Sequence, residues 1–261
     1  MRRSYTAMAK LTRREDLEKI RRSGRILGNV LEKVKTLLAP GVNTAFIEEV
    51  VREFIVRCGA RPAFLGYRGF PAALCISIND EVVHGIPGER VIRSGDLVSI
   101  DIGVEFEGFY TDAAFSMVVG DGHPVARRLV EVTKKALYAG IRQALPGNRV
   151  GDISHAIQTT IEREGFAVVR DLVGHGVGKS LHEDPQIPNF GQKGQGAILE
   201  EGMVLAIEPM ANERGYRVKI LEDGWTVVTE DGGLSAHFEH TVLVRKGQPE
   251  ILTVSERGDF F

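Results

Sequence analysis

Cysteine is nearly missing: Cys58 and Cys75 are the only two in 261 residues. Two thiols cannot build a thiolate metal cluster, and nothing in their placement suggests a disulfide framework. They read as small buried hydrophobes of a reducing compartment, which points to the cytoplasm. An excess of one charge is missing too. Lys and Arg total 33 against 35 Asp and Glu, a formal charge of -2, so no global field calls for a stable nucleic-acid partner or an anionic membrane. No apolar run approaches the ~18 residues of a membrane span. Met1–Arg22 holds eight Lys or Arg but lacks the apolar core and small-residue cleavage site of a secretory signal. It reads as a flexible basic tail over residues 1–12 that runs into a helix, with a weak RNA contact as the alternative. Glycine, by contrast, is plentiful at 30 residues, which implies tight turns and close backbone approaches. The 43% hydrophobic and 26% charged content is that of an ordinary globular protein able to bury a large core.

Helical spacing runs through Leu17, Ile20, Gly24, Leu27, Leu31, Val34 and Leu38 and stops at Ala39-Pro40-Gly41. A second helix starts at Asn43 or Thr44, both good caps, and continues through Ile47, Val51 and Ile55 to Gly59. The later chain does the same. Val125–Leu145 is helical by spacing and ends at Pro146-Gly147, and another helix passes Ile153, Ile157 and Ile161 to Gly165. Pro40-Gly41, Ile47, Val51, Ile55 and Gly59 all find their counterparts 106 positions on. One insertion later, Gly95-Asp-Leu-Val-Ser-Ile-Asp101 matches Gly202-Met-Val-Leu-Ala-Ile-Glu208. This is an internal duplication, too long in period for a solenoid. Helices followed by hairpin strands argue for an α+β fold with a largely antiparallel sheet. No Pro/Gly/Ser-rich linker separates the halves, so residues 13–261 read as one domain with halves of about 14–120 and 121–245.

Leu97–Phe106 and Tyr110–Val119 read as a hairpin around Glu107-Gly108. Asp101 and Asp112 sum to an odd number, so an even-length loop puts both on one sheet face, opposite or diagonal, with Cβ atoms ~4.5–8 Å apart. Two ionised carboxylates that close repel unless a cation sits between them. Glu105 and Glu107 read instead as solvated strand acids. In the second half, Glu208 follows a strongly apolar strand and precedes Pro209, and Glu239 lies in a strand over Ala236–Val244. Acids there are costly unless paired or metal-bound. Four strand acids, two per half and related by the repeat, form a set suited to a two-metal site.

Histidine joins them. Gly174-His175-Gly176-Val177-Gly178 puts an imidazole in a glycine-rich turn, His182 follows in Leu-His-Glu-Asp-Pro, and His84 ends the apolar run Val82-Val83. Gly174–Ser180 imitates a phosphate loop but is one residue short, since the first glycine would have to be Val173. His237 shares a strand face with Glu239 while His240 points away, and both read as structural. His123 and His155 read as solvated.

These strings, together with Ser77-Ile-Asn-Asp-Glu-Val-Val-His84-Gly-Ile-Pro87, Thr111-Asp112, Ile207-Glu-Pro209 and Phe238-Glu-His-Thr241, resemble the type I methionine aminopeptidases from about Lys10 to Val254. That resemblance implies the pita-bread fold, a duplicated α+β half about a pseudo-two-fold axis. It implies two divalent ions (Co, Mn, Fe or Zn), one held by Asp101 and Asp112, the other by His175 and Glu208, with Asp112 and Glu239 bridging. It makes a water or hydroxide between the ions the nucleophile and Glu208 the proton shuttle as well as a ligand. His84 would meet the substrate nitrogen and His182 the carbonyl oxygen. Tyr67, Phe70, Cys75, Leu181 and Trp225 would line an apolar pocket for the first side chain. The family more often has tyrosine at Phe70, phenylalanine at Leu181 and cysteine at Val83. The implied substrates are the N-termini of newly made proteins and peptides, cut best before a small second residue. The implied partner is the ribosome, and the implied state a cytoplasmic monomer.

Two rivals are separable. An aminopeptidase P or prolidase-like enzyme would share the ligands but select X-Pro, and usually carries a further N-terminal domain. The fewer than ~15 residues before the first helix argue against it. A degenerate peptidase fold acting as a binding module would have lost ligands, and all five are here.

Overall fold

A computed structural model describes residues 10–258. Four helices, α1 (Arg14–Lys35), α2 (Thr44–Arg57), α3 (Pro124–Ile141) and α4 (Val150–Glu162), form where the spacing predicts them. Each buries its apolar stripe: Ile20, Leu27, Leu31 and Val34 in α1, Ile47, Val51 and Ile55 in α2, Ile153, Ile157 and Ile161 in α4. At roughly 1.5–3 kcal/mol per fully buried aliphatic side chain, these stripes hold the helices to the sheets. Asn43 caps α2 by accepting the Ala45 N–H at 2.8 Å. Asp152 closes the start of α4 by accepting the Arg149 N–H at 2.7 Å. His123, exposed as expected, also caps α3 by accepting from Val125 at 3.3 Å. Both α1 and α3 end earlier than their spacing suggests. Leu37 donates to Val34 and Ala144 to Ile141, tight last turns that satisfy terminal carbonyls ahead of the Pro-Gly stop.

Among the described residues every strand pairing is antiparallel. The long hairpin Leu97–Phe106/Phe109–Val118 turns on Glu107 (φ 49°) and Gly108 (φ 83°), the paired positive φ of a tight hairpin turn. Arg61–Pro62 and Cys75–Ile78 flank it. A five-stranded sheet runs Glu250–Ile251, His240–Leu243, Val204–Ile207, Val173–Gly176, Glu183–Pro188.

The 106-residue repeat of the sequence has a structural counterpart. Gly41 and Gly147 both take positive φ (90° and 92°) and donate to Ile92 and Leu199. Arg61 faces Glu105 as Ala167 faces Asn212. At the centre the two halves meet in a bridge between Ala114 and Glu239. On one side of it Ser116 Oγ donates to the His237 carbonyl (2.9 Å) and accepts its N–H (2.8 Å). On the other Thr241 Oγ1 donates to the Asp112 carbonyl (2.7 Å) and accepts its N–H (2.9 Å). The pairs Asp112/His237, Ala114/Glu239 and Ser116/Thr241 therefore exchange across this axis. Asp101 faces Ala114, and Glu208 follows the strand residue that faces His240. The expected relation of all four acids by the repeat thus needs correction. It relates Asp101 to Glu208, but the mate of Asp112 is His237 and the mate of Glu239 is Ala114.

Of the residues 1–12 expected to form a tail, only 10–12 are described. Lys10 bridges Met203, Leu11 is 5% exposed and donates to Gly202, and residues 1–9 lie outside the described residues. Among the described residues no helix is long and apolar enough to cross a membrane.

Candidate active site

Asp101 pairs with Ala114 and Asp112 with Gly103, so the two acids are diagonal neighbours on one face of the hairpin. Across the axis, His175 pairs with Ala206, two residues before Glu208. Glu239 sits in a break between Ser235–His237 and His240–Leu243, where the bridge to Ala114 fixes its backbone. The single strand expected over 236–244 is interrupted there by the contact between halves.

His175 is not in a turn, as its glycine-rich context suggests, but in the strand Val173–Gly176. Its glycines serve close strand approach. A Cβ on Gly174 would stand 2.5 Å from the Ala206 carbonyl oxygen, and one on Gly176 would stand 2.2 Å from that of Asp184. The His175 Nδ1 lies 2.9 Å from the Gly176 carbonyl oxygen. A ring that donates there keeps the Nε2 lone pair for the cluster. That Nε2 is 3.5 Å from Glu208 Oε1 and 3.9 Å from Asp112 Oδ2.

The site is strongly acidic and largely buried. Burial pushes the Asp101 carboxyl up to about 7. Burial, then the charges of Asp101 and Glu208, push Asp112 well above the carboxylate range, and burial, then the charges of Asp112, Glu208 and Asp101, do so for Glu239. Buried oxygens of all three, Asp101 Oδ1, Asp112 Oδ1 and Glu239 Oε1, lack a hydrogen-bond partner. Ligand atoms of Asp112, His175 and Glu239 lie within 4.8 Å of one another. Orphaned acceptors, mutual repulsion and an imidazole lone pair all call for a cation, so the residues fit divalent metal.

The remaining expected residues open on the same cleft, about 670 Å³ including its mouth. His182 Nδ1 shares a hydrogen bond with the Tyr67 hydroxyl (2.9 Å), and its ring centre lies 4.2 Å from that of His175. His84 takes a left-handed conformation, φ 61°, an uncommon one for a residue with a Cβ that turns its ring towards Trp225 (6.4 Å between centres). Trp225 meets Phe70 edge-on at 5.1 Å. Its turn is held by Asp223, which accepts the Trp225 and Thr226 N–H groups. Cys75 and Leu181 are 3% and 2% exposed in the same apolar cluster.

Sequence reasoning missed Phe64 and Arg68, which also line the cleft. Phe64 stands in the apolar step Ala63-Phe64-Leu65 just before Gly66, a signal of burial but not of a site. Arg68 lies over the Tyr67 ring at 5.3 Å with φ 52°, a placement no periodicity reveals. Glu105, expected to be solvated, is 5% exposed and binds Arg61 and the Gly108 N–H. His237 is 1% exposed, with Nε2 3.7 Å from Glu208 Oε2. Burial and nearby His84 drop its pKa to about 3, so the ring is neutral.

A duplicated fold closing on buried acids and imidazole is the architecture of the pita-bread metallopeptidases. Residues 18–246 match the model of metallopeptidase family M24, and the chain belongs to that family of peptide hydrolases. It is 49% identical over 244 residues to the methionine aminopeptidase of Clostridium perfringens, covering 94% of this chain and 98% of that one. The solved methionine aminopeptidase of Thermotoga maritima superposes with a TM-score of 0.93 at 46% identity, covering 95% of this chain and all of that one. The prolidase of Pyrococcus furiosus shares the fold (TM-score 0.77) at only 23% identity, and the chain spans 66% of its length.

Proposed function

We propose that this chain is a methionyl aminopeptidase, using two divalent ions to release N-terminal methionine from proteins and peptides, best before a small second residue. The observation that carries it is the shared cleft: buried Asp112, His175 and Glu239 with half-buried Asp101 and Glu208 on one wall, and Tyr67, Phe70, Cys75, Leu181 and Trp225 on another. Asp101 and Asp112 would hold one ion, His175 and Glu208 the other, with Asp112 and Glu239 shared. Bound divalent ions would acidify water towards neutrality and polarise the scissile carbonyl.

The protein's own groups do the rest. Glu208 takes and returns the proton from beside the cluster. A Tyr67 hydroxyl donating to His182 Nδ1 leaves the proton on Nε2, ready to donate to the carbonyl oxygen as it gains charge. His84 meets the substrate nitrogen. The apolar wall offers no charge to Lys, Asp or Arg, while an unbranched thioether suits an aromatic-lined slot. The reading includes action in the cytoplasm as a monomer, on chains emerging from the ribosome, with 13–261 as the catalytic domain. The metal could be Co, Mn, Fe or Zn.

A panel of Met-Ala, Met-Gly, Met-Leu, Nle-Ala, Leu-Ala, Lys-Ala and X-Pro peptides tests it. Met-Ala and Met-Gly should be cut best. Norleucine should follow measurably, because apolar pockets separate side chains one methylene apart by only ~1–3 kcal/mol. Leu should be cut much less. Efficient release of Lys would sink the pocket assignment, and a preference for X-Pro would restore the prolidase-like rival.

A further inference from the structure

We propose that His237 is a positioning residue for Glu208, holding one carboxylate oxygen so that the other is presented to the metal cluster. The proposal rests on the functional reading above and extends it to a residue that reading does not use.

The two oxygens of Glu208 face two different imidazoles. Oε1 lies 3.5 Å from His175 Nε2 and Oε2 lies 3.7 Å from His237 Nε2. His175 belongs to the ligand set, and His237 stands behind it, 1% exposed. Neither ring nitrogen of His237 has a hydrogen-bond partner. A buried imidazole left so is a cost to folding that an apolar side chain would not carry. Stability therefore does not account for it, whereas a ring nitrogen set 3.7 Å from a carboxylate oxygen does.

The two-fold relation says why an imidazole stands here. His237 occupies the place of Asp112 in the other half, its N–H and carbonyl both clamped by Ser116 as those of Asp112 are by Thr241. The same backbone site thus sets Asp112 in the cleft lining from one side of the axis and His237 against Glu208 from the other. A carboxylate there can share its two oxygens between ions. An imidazole has one lone pair and one N–H, and cannot bridge. It can donate to a neighbouring ligand and settle which oxygen that ligand turns to the metal, the task of outer-shell groups around metal sites. Across the cleft, the charged or titratable groups set against this ring are Glu208 and His84.

The test compares His237→Leu, which removes the donor, with His237→Gln, which keeps one. The Co(II)-loaded proteins would be followed by visible absorption, by calorimetric Co(II) titration, and by kcat and KM on Met-Ala-Ser. His237→Leu should fold with unchanged or higher Tm. It should alter the Co(II) spectrum and lower metal affinity or kcat by about 10–100-fold, leaving KM nearly constant. His237→Gln should recover most of both. A wild-type spectrum and kcat in His237→Leu would overturn the proposal, as would a His237→Gln as impaired as the leucine variant, which would make the role one of packing. If His237→Leu does not fold, the glutamine variant decides alone: an altered Co(II) spectrum with a kcat loss of that size goes against the proposal. The wild type separates the two levels. If it binds no Co(II) or releases no methionine, the functional reading itself fails and takes this role with it.

Discussion

Two substitutions on the same cleft should fail in different ways. Glu239 has its backbone fixed by Ala114 on both sides, through N–H to Ala114 at 2.8 Å and carbonyl from Ala114 at 3.3 Å. Glu239→Ala therefore removes two oxygens without moving the chain, and leaves Asp112 as the one shared carboxylate between two like-charged ions. It should lose at least one metal equivalent by elemental analysis, and kcat with it. Retained stoichiometry and activity would remove Glu239 from the bridging position. His182→Ala should keep both metal equivalents and lose transition-state stabilisation of order 3 kcal/mol, the loss typical of one oxyanion donor. Tyr67→Phe isolates the tautomer argument. It deletes a single neutral hydrogen bond, worth ~0.5–1.5 kcal/mol, so kcat should fall only roughly 2- to 12-fold. A Tyr67→Phe loss as deep as that of His182→Ala would mean that the phenol touches the substrate itself.

At the scale of elements, α1 shows one conflict between local preference and packing. Gly24 and Gly28 interrupt a good helical sequence, and in an exposed helix Ala would be better by ~1 kcal/mol. Here the chain beyond the last strand crosses the helix at these two residues. A Cβ on Gly28 would stand 2.3–2.6 Å from the backbone of Val254 and Ser255, and one on Gly24 would stand 2.4 Å from the Leu252 carbonyl oxygen. Backbone cannot swing aside as a side chain can, and overpacking costs ~1–3 kcal/mol, so packing wins. Gly28→Ala should lower Tm by a few degrees in a thermal melt, and an unchanged or higher Tm would show that the crossing segment yields. The spacing of Leu27, Leu31 and Val34 made this helix legible, as period-two alternation and Glu107-Gly108 made the hairpin. What spacing could not give is anything set by a partner distant in the chain. The break at Glu239 comes from the Ala114 bridge. The extended form of Gly174–Gly176 comes from its neighbours at Ala206 and Asp184. The burial of Glu105 comes from Arg61. The site followed the same division. Its acids stood out because acids are costly in apolar strands, whereas Phe64 and Arg68 look ordinary until the fold brings them to the cleft, and His237 until it is set against Glu208.

Taken whole, the molecule gathers its acids at the axis between its halves, and this couples folding, metal and pH. Without metal, the native Asp101 holds its proton to about 7, against an ordinary 3.8, and Asp112 and Glu239 shift the same way. The unfolded chain releases those protons near pH 4. Through the window from there to about 7 it therefore binds fewer protons than the native state, and the metal-free protein loses stability from these groups as pH rises. Divalent ions take the place of the protons, so their affinity should rise over the same window. The gain in Tm on adding Mn(II) at a fixed concentration should then be small at pH 5 and large at pH 7.5. Where the ion reaches 100 times its Kd, stabilisation is about 2.7 kcal/mol, or roughly 5–10 °C for a chain of this size. Glu239→Ala, lacking one of the shifted groups, should melt higher than the wild type in chelator at pH 7.5 and gain less from Mn(II). An equal Mn(II) gain at pH 5 and pH 7.5 would mean that the ions do not displace protons from this cluster, and that the buried acids are balanced by something else.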